Sequence, residues 1–121
     1  MDILIIEDDK LTLNLLQNSI NHSGHKAFVS ENAEQAINII TTRTYNLIIC
    51  DIMMPGISGL SLVSILRSVH LCNTPIIIMS ALNNKPLLDA AFAAGANDFI
   101  TKPFTMAELE DKLNKFGKGN A

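Results

Sequence analysis

Four short runs in this chain are apolar at every successive position: Ile3 to Ile6, Ala27 to Val29, Leu47 to Cys50 and Ile76 to Met79. A strand with one face in water alternates apolar and polar residues, whereas a strand covered on both faces has no reason to. A fifth, weaker candidate is Asp98 to Thr101. The segments between them repeat apolar residues at helical spacing: Leu11, Leu15, Leu16 and Ile20; Ala33, Ala36, Ile37 and Ile40; Leu60, Val63 and Leu66; Leu87, Leu88, Ala91 and Ala94; Leu109, Leu113 and Phe116. Punctuation agrees with this. Gly24 and Gly95 fall where helices end, Ser58 and Thr105 where they begin, and Thr105 with Glu108 has the spacing of a capping box. Five strands alternating with five helices predict an α/β fold, a (βα)5 doubly wound parallel five-stranded sheet with right-handed crossovers.

With 121 residues, 48% of them hydrophobic, the chain has the size and composition of one domain with a filled core. The expected boundaries are a domain over 1–117 and a flexible tail over 118–121. Nine Lys and Arg stand against twelve Asp and Glu, a formal charge of -3, with no basic run to follow a phosphate backbone. Direct nucleic-acid binding by this chain is therefore not expected. The apolar runs are far shorter than the roughly 18 residues of a membrane span. The first strand has no basic flank and is followed at once by Glu7, Asp8 and Asp9, unlike a secretory signal. A cytoplasmic location is expected, with Cys50 and Cys72 reduced. In that setting the sequon Asn21-His22-Ser23 carries no glycan. His22, His25 and His70 share no metal-ligand spacing and are read as solvated or capping residues.

Ligands of an open parallel sheet bind beyond the carboxyl ends of its strands, where the strand order reverses. Glu7 and Asp8 follow the first run, Asp51 the third, Ser80 and Ala81 the fourth, Lys102 and Pro103 the fifth. If the order is 2-1-3-4-5, the reversal lies between strands one and three, and three carboxylates meet there. Charges about 5 Å apart repel by roughly 3 kcal/mol at an effective dielectric near 20. A hard divalent cation, Mg²⁺ above all, offsets that, since it takes a few carboxylates and completes its shell with water and phosphate oxygens. Taken one at a time these residues have ordinary explanations: Asp51 as a turn residue, Glu7 and Asp8 as an acidic loop, Lys102 as surface charge, Ser80 as a strand-end hydroxyl, Met53, Met54 and Met79 as packing.

Five separated stretches, "IIEDD", "CDIMMPGISG", "IIIMSA", "AAGAND" and "KPF", stand in an order and spacing that resembles the receiver domains of two-component response regulators. The likeness runs from Ile3 to about Phe116 and implies the flavodoxin-like receiver fold. It further implies that Asp51 is the phosphoacceptor, attacking a phosphohistidine of a histidine kinase or histidine phosphotransfer protein. Glu7, Asp8, Asp51 and the backbone carbonyl of Met53 are implied as the Mg²⁺ site, with Glu7 reaching the metal through water and Asp9 left to start a helix. Lys102, before a cis proline, is implied to neutralise the phosphoryl group. Ser80 and Phe99 are implied as the switch pair, the hydroxyl turning toward the phosphoryl group and the ring moving inward. Such a switch rearranges the surface of the fourth helix, fifth strand and fifth helix for a downstream effector.

Members of that family that lose the phosphoryl group quickly carry polar side chains two positions after the nucleophile and two after the switch hydroxyl. Here those positions hold Met53 and Leu82. The resemblance therefore implies no enzyme in the ordinary sense, but a signalling module that catalyses its own phosphorylation and slow autodephosphorylation. A phosphorylation-independent pseudo-receiver is the alternative. A phosphohydrolase on the same fold would want a second Asp where Met53 stands, and a flavin carrier a Ser/Thr-rich phosphate loop where the acids stand. Whether the chain acts alone or within a larger regulator, and whether phosphorylation makes it a homodimer, is left open.

Overall fold

The structure, a computed structural model, describes residues 1–117; the expected tail, 118–121, lies outside the described residues. In chain order the elements are β1 (Asp2–Ile6), α1 (Lys10–His22), β2 (Lys26–Ser30), α2 (Ala33–Thr42), β3 (Leu47–Asp51), α3 (Gly59–Ser68), β4 (Ile76–Ser80), α4 (Lys85–Ala94), β5 (Asp98–Thr101) and α5 (Met106–Gly117). All strand pairs are parallel, in the order β2-β1-β3-β4-β5. Each strand extends the apolar run read from the sequence by at most one residue at either end.

The continuous runs have the reason inferred for them. Ile3, Ile5, Leu47, Ile49, Ile77 and Met79 bury one face of the sheet against Leu13, Leu16 and Ile20 of α1 and Leu109 and Leu113 of α5. Leu4, Ile6, Ile48, Cys50, Ile76 and Ile78 bury the other against Ala36 of α2, Leu62 and Leu66 of α3 and Ala91 of α4. Each such fully buried Ile or Leu stabilises the fold by about 1.5–3 kcal/mol relative to exposure.

Helix starts are capped by side chains that accept orphan backbone N–H groups: Asp9 from Thr12, Asn32 from Gln35, Ser58 from Ser61 and Asn84 from Leu87. Thr105 and Glu108 form the expected capping box, with the Glu108 N–H donating to Thr105 Oγ1 at 3.1 Å. Gly95 closes α4 at φ +118, in the left-handed region.

Two assignments need correction. In α1 the inward stripe is Leu13, Leu16 and Ile20, while Leu11 and Leu15 are 69% and 60% exposed. Four leucines within six residues let two stripes fit a 3.6-residue period, and only the packing of α1 on β1 and β2 chooses one. Met53 does not pack either. It is 70% exposed, whereas Met54 and Met79 are buried.

A residue with no sequence signal holds the far end of this sheet. From the last turn of α3, Arg67 donates to the carbonyls of Cys72 and Thr74 at 2.8 and 2.7 Å, twice to that of Gly95 at 3.0 and 2.9 Å, and to Asn97 Oδ1 at 2.7 Å. Asn97 Oδ1 also accepts the Ile76 N–H at 2.9 Å. The guanidinium thus ties α3 to the segments that enter β4 and β5.

Candidate functional site

Parallel pairing brings the carboxyl ends of β1, β3, β4 and β5 to one rim. Ile6 lies opposite Cys50, Asp51 opposite Met79, and Ser80 opposite Thr101. The next residues along β1 and β5 are Glu7, whose N–H donates to Ser30 O at 3.0 Å, and Lys102, whose N–H donates to Ser80 O at 2.7 Å. The side chains that chemistry selected from the sequence are therefore set by rigid strand ends.

Glu7, Asp8 and Asp51 each bring one carboxylate oxygen within 4.8 Å of the others'. Glu7 and Asp51 are buried, at 1% and 5% exposure, and Asp8 is exposed. Lys102 Nζ lies 2.7 Å from Glu7 Oε1 and 3.2 Å from Asp51 Oδ1, bridging the two buried acids. Glu7 Oε2 accepts the Asp8 N–H at 3.2 Å.

Burial, the hydrogen bond to Asp51 and the charge of Asp51 push the Glu7 carboxyl up to about 7, against the pull of Lys102. For Lys102 burial disfavours the ammonium, but the bond to Glu7 and the charge of Asp51 overcome it and hold its pKa above the usual lysine range. Three acids facing one ammonium leave excess negative charge. The donor set, all oxygen, with one member open to solvent, suits Mg²⁺, which keeps several waters and binds through few carboxylates.

Ser80 is buried at 1% exposure, and its Oγ accepts the Leu82 N–H at 3.0 Å, a bond to its own loop that the sequence did not reveal. Phe99 is already inside, 7% exposed and packed in the same cluster as Ile78, Ala91 and Ala96. Lacking a hydroxyl, the ring gains nothing from facing water. The inward movement carried over to Phe99 requires a starting position other than the one it occupies. The Lys102-Pro103 peptide is cis, as the resemblance implied. Asp9, expected to start a helix, caps α1 outside the acidic cluster. Among the histidines, His25 Nδ1 lies 3.0 Å from the N-terminal amine.

Comparison with known proteins places this arrangement. A sequence model of the response regulator receiver domain matches residues 3–114. The transcriptional regulatory protein CrdR of Helicobacter pylori is 31% identical over 114 residues, covering 94% of this chain and 54% of that protein. The two-component response regulator PhoP of Pseudomonas aeruginosa is 35% identical, covering 94% and 50%. The chain thus spans about half the length of these relatives. Among solved structures, the receiver domain of the Francisella response regulator 1452 superposes with a TM-score of 0.92 at 32% identity, covering 99% of this chain and 98% of that one. The chemotaxis protein CheY4 of Vibrio cholerae shares the fold at a TM-score of 0.90 and 20% identity, covering 95% and 97%. Strand order, rim chemistry and these likenesses agree, and the chain belongs to the response regulator receiver domain family of two-component signalling.

Proposed function

We propose that this receiver takes a phosphoryl group from a phosphohistidine of a sensor kinase or phosphotransfer protein onto Asp51. The observation that carries the reading is the rim itself: Glu7, Asp8 and Asp51 with carboxylate oxygens within 4.8 Å, and Lys102 bridging Glu7 and Asp51. A carboxylate oxygen of Asp51 attacks phosphorus, the phosphorus–nitrogen bond of the donor breaks, its electron pair returns to the imidazole, and an acyl phosphate remains. Glu7, Asp8, Asp51 and the Met53 carbonyl would hold Mg²⁺, which when bound neutralises charge on the transferring group. Lys102, already 3.2 Å from Asp51, supplies a second positive charge to the new phosphoryl oxygens, and the Ser80 hydroxyl, whose oxygen accepts from Leu82, donates its O–H to them. An apolar groove of about 470 Å³ beside Lys102, lined by Leu15, Leu16, Pro103, Phe104 and Met106, offers the donor protein a seat.

The output is assigned to the face of α4, β5 and α5, read by an effector domain or protein. Relatives named as transcriptional regulators extend to about twice this length, so contact with DNA is not assigned to this chain, whose net charge is -3. The alternative of a phosphorylation-independent module has no support in the rim, where Glu7, Asp8, Asp51 and Lys102 stand together. Residues 1–117 are assigned to the receiver. Among the described residues no helix is long and apolar enough to cross a membrane.

Incubation with acetyl phosphate and Mg²⁺ is expected to add one phosphoryl group by intact-mass measurement, and Asp51→Asn to abolish the gain. An unmodified wild-type chain under these conditions would overturn the reading. A slow decay follows from Met53 and Leu82, exposed at 70% and 56% beside the site, since neither side chain can hold an attacking water. The double change Met53→Asn with Leu82→Glu is expected to speed loss of the phosphoryl group severalfold in a mass time course after donor removal. An unchanged half-life would remove water exclusion as the cause.

A further inference from the structure

We infer that Gly59, the first residue of α3, is a positioning residue for the phosphoacceptor and for the carbonyl of Met53. The inference rests on the proposed phosphoacceptor role of Asp51. The backbone of Gly59 lies flush against the nucleophile's own peptide. A Cβ there would stand 2.2 Å from the carbonyl oxygen of Asp51, 2.8 Å from the Cα of Ile52 and 3.0 Å from the carbonyl carbon of Asp51. All three are backbone atoms, so no side chain can swing aside to make room.

The residue that follows the nucleophile, Ile52, is held from both directions. The Ile52 N–H donates to Met79 O on β4 at 3.0 Å, and the Ile52 carbonyl accepts the Gly59 N–H at 3.0 Å. Ser58 fixes the approach of α3, its Oγ accepting the Ser61 N–H at 3.2 Å. Ile52 is therefore clamped between β4, through the peptide that joins it to Asp51, and the first turn of α3, through the peptide that joins it to Met53. Any side chain at position 59 must move α3 or the Asp51–Ile52 peptide until the 2.2 Å approach exceeds 3.0 Å. Mg²⁺ demands nearly ideal octahedral oxygen positions, so a shift of that size acts on its binding as well as on in-line attack. Gly56, three residues earlier, is a contrasting case: at φ +80 it is strained for any side chain, but a Cβ there meets nothing within 4 Å.

Three variants test the assignment: Gly59→Ala, Ser58→Ala and Gly56→Ala. Mg²⁺ dissociation constants are measured by calorimetry without donor, and phosphorylation rates with acetyl phosphate at saturating Mg²⁺. Gly59→Ala is expected to weaken Mg²⁺ at least tenfold and to slow phosphorylation by about 100-fold. Ser58→Ala, which loosens the seat of α3, is expected to weaken Mg²⁺ a few-fold, and Gly56→Ala to bind as wild type does. A folded Gly59→Ala within twofold of wild type overturns the assignment. Should Gly59→Ala fail to fold, Ser58→Ala decides: unchanged Mg²⁺ affinity overturns it, and a few-fold loss with Gly56→Ala unaffected upholds it. A wild-type chain that takes up neither Mg²⁺ nor phosphoryl overturns the phosphoacceptor reading itself, and this assignment with it.

Discussion

Arg67→Ala is expected to lower the unfolding free energy by about 3 kcal/mol, roughly 12 °C in midpoint for a domain of this size. The guanidinium makes five charge-assisted hydrogen bonds, and its removal orphans the carbonyls of Cys72, Thr74 and Gly95 together with one partner of Asn97. Water can reach some of these acceptors, which keeps the cost below the sum of five bonds. Arg67→Lys is expected to recover less than half, because an ammonium is a point donor and cannot fan across acceptors on two loops. Urea unfolding monitored by far-ultraviolet circular dichroism measures both. A loss below about 1 kcal/mol for the alanine variant would show that the loops close without the clasp.

In metal-free buffer at pH 8, Glu7→Gln is expected to raise stability by about 3 kcal/mol, the cost of ionising a carboxyl whose pKa rises from 4.5 to about 7 on folding. The native state holds this proton more tightly than the unfolded chain, so between those values the folded form carries more protons. Stability from Glu7 is therefore fully present below 4.5, falls as pH rises through the window and levels off above about 7. Wild type should lose ground to the variant across that range and match it in acid. Thermal unfolding of both proteins with a chelator, from pH 4 to 8.5, measures the difference, in which other titrating groups cancel. A difference independent of pH would sink the explanation. Added Mg²⁺ should reverse the ranking at pH 8, because it stabilises the ionised acids of wild type more strongly than the amide.

Much of the fold was legible because two-sided burial writes itself into a strand as an unbroken apolar run. Ile3 to Ile6 and Ile76 to Met79 could be placed as strands covered on both faces from that alone. The site was legible because its members follow those runs, and parallel pairing gathers whatever follows a strand's end. What stayed hidden depends on contacts between segments. The inward face of α1 was ambiguous because Leu11, Leu13, Leu15 and Leu16 supply more apolar side chains than one face needs. Arg67 carried no signal in the sequence, since its acceptors lie 5 to 30 residues further along. Phe99 was expected to swing inward, and only coordinates show the ring already seated.

Glu7 and Lys102 stand 95 positions apart along the chain yet touch at 2.7 Å. A nascent or nicked polypeptide that has not seated β5 possesses the acids without their ammonium. On the role proposed for Asp51, such a molecule lacks one of the positive charges that the transfer would use.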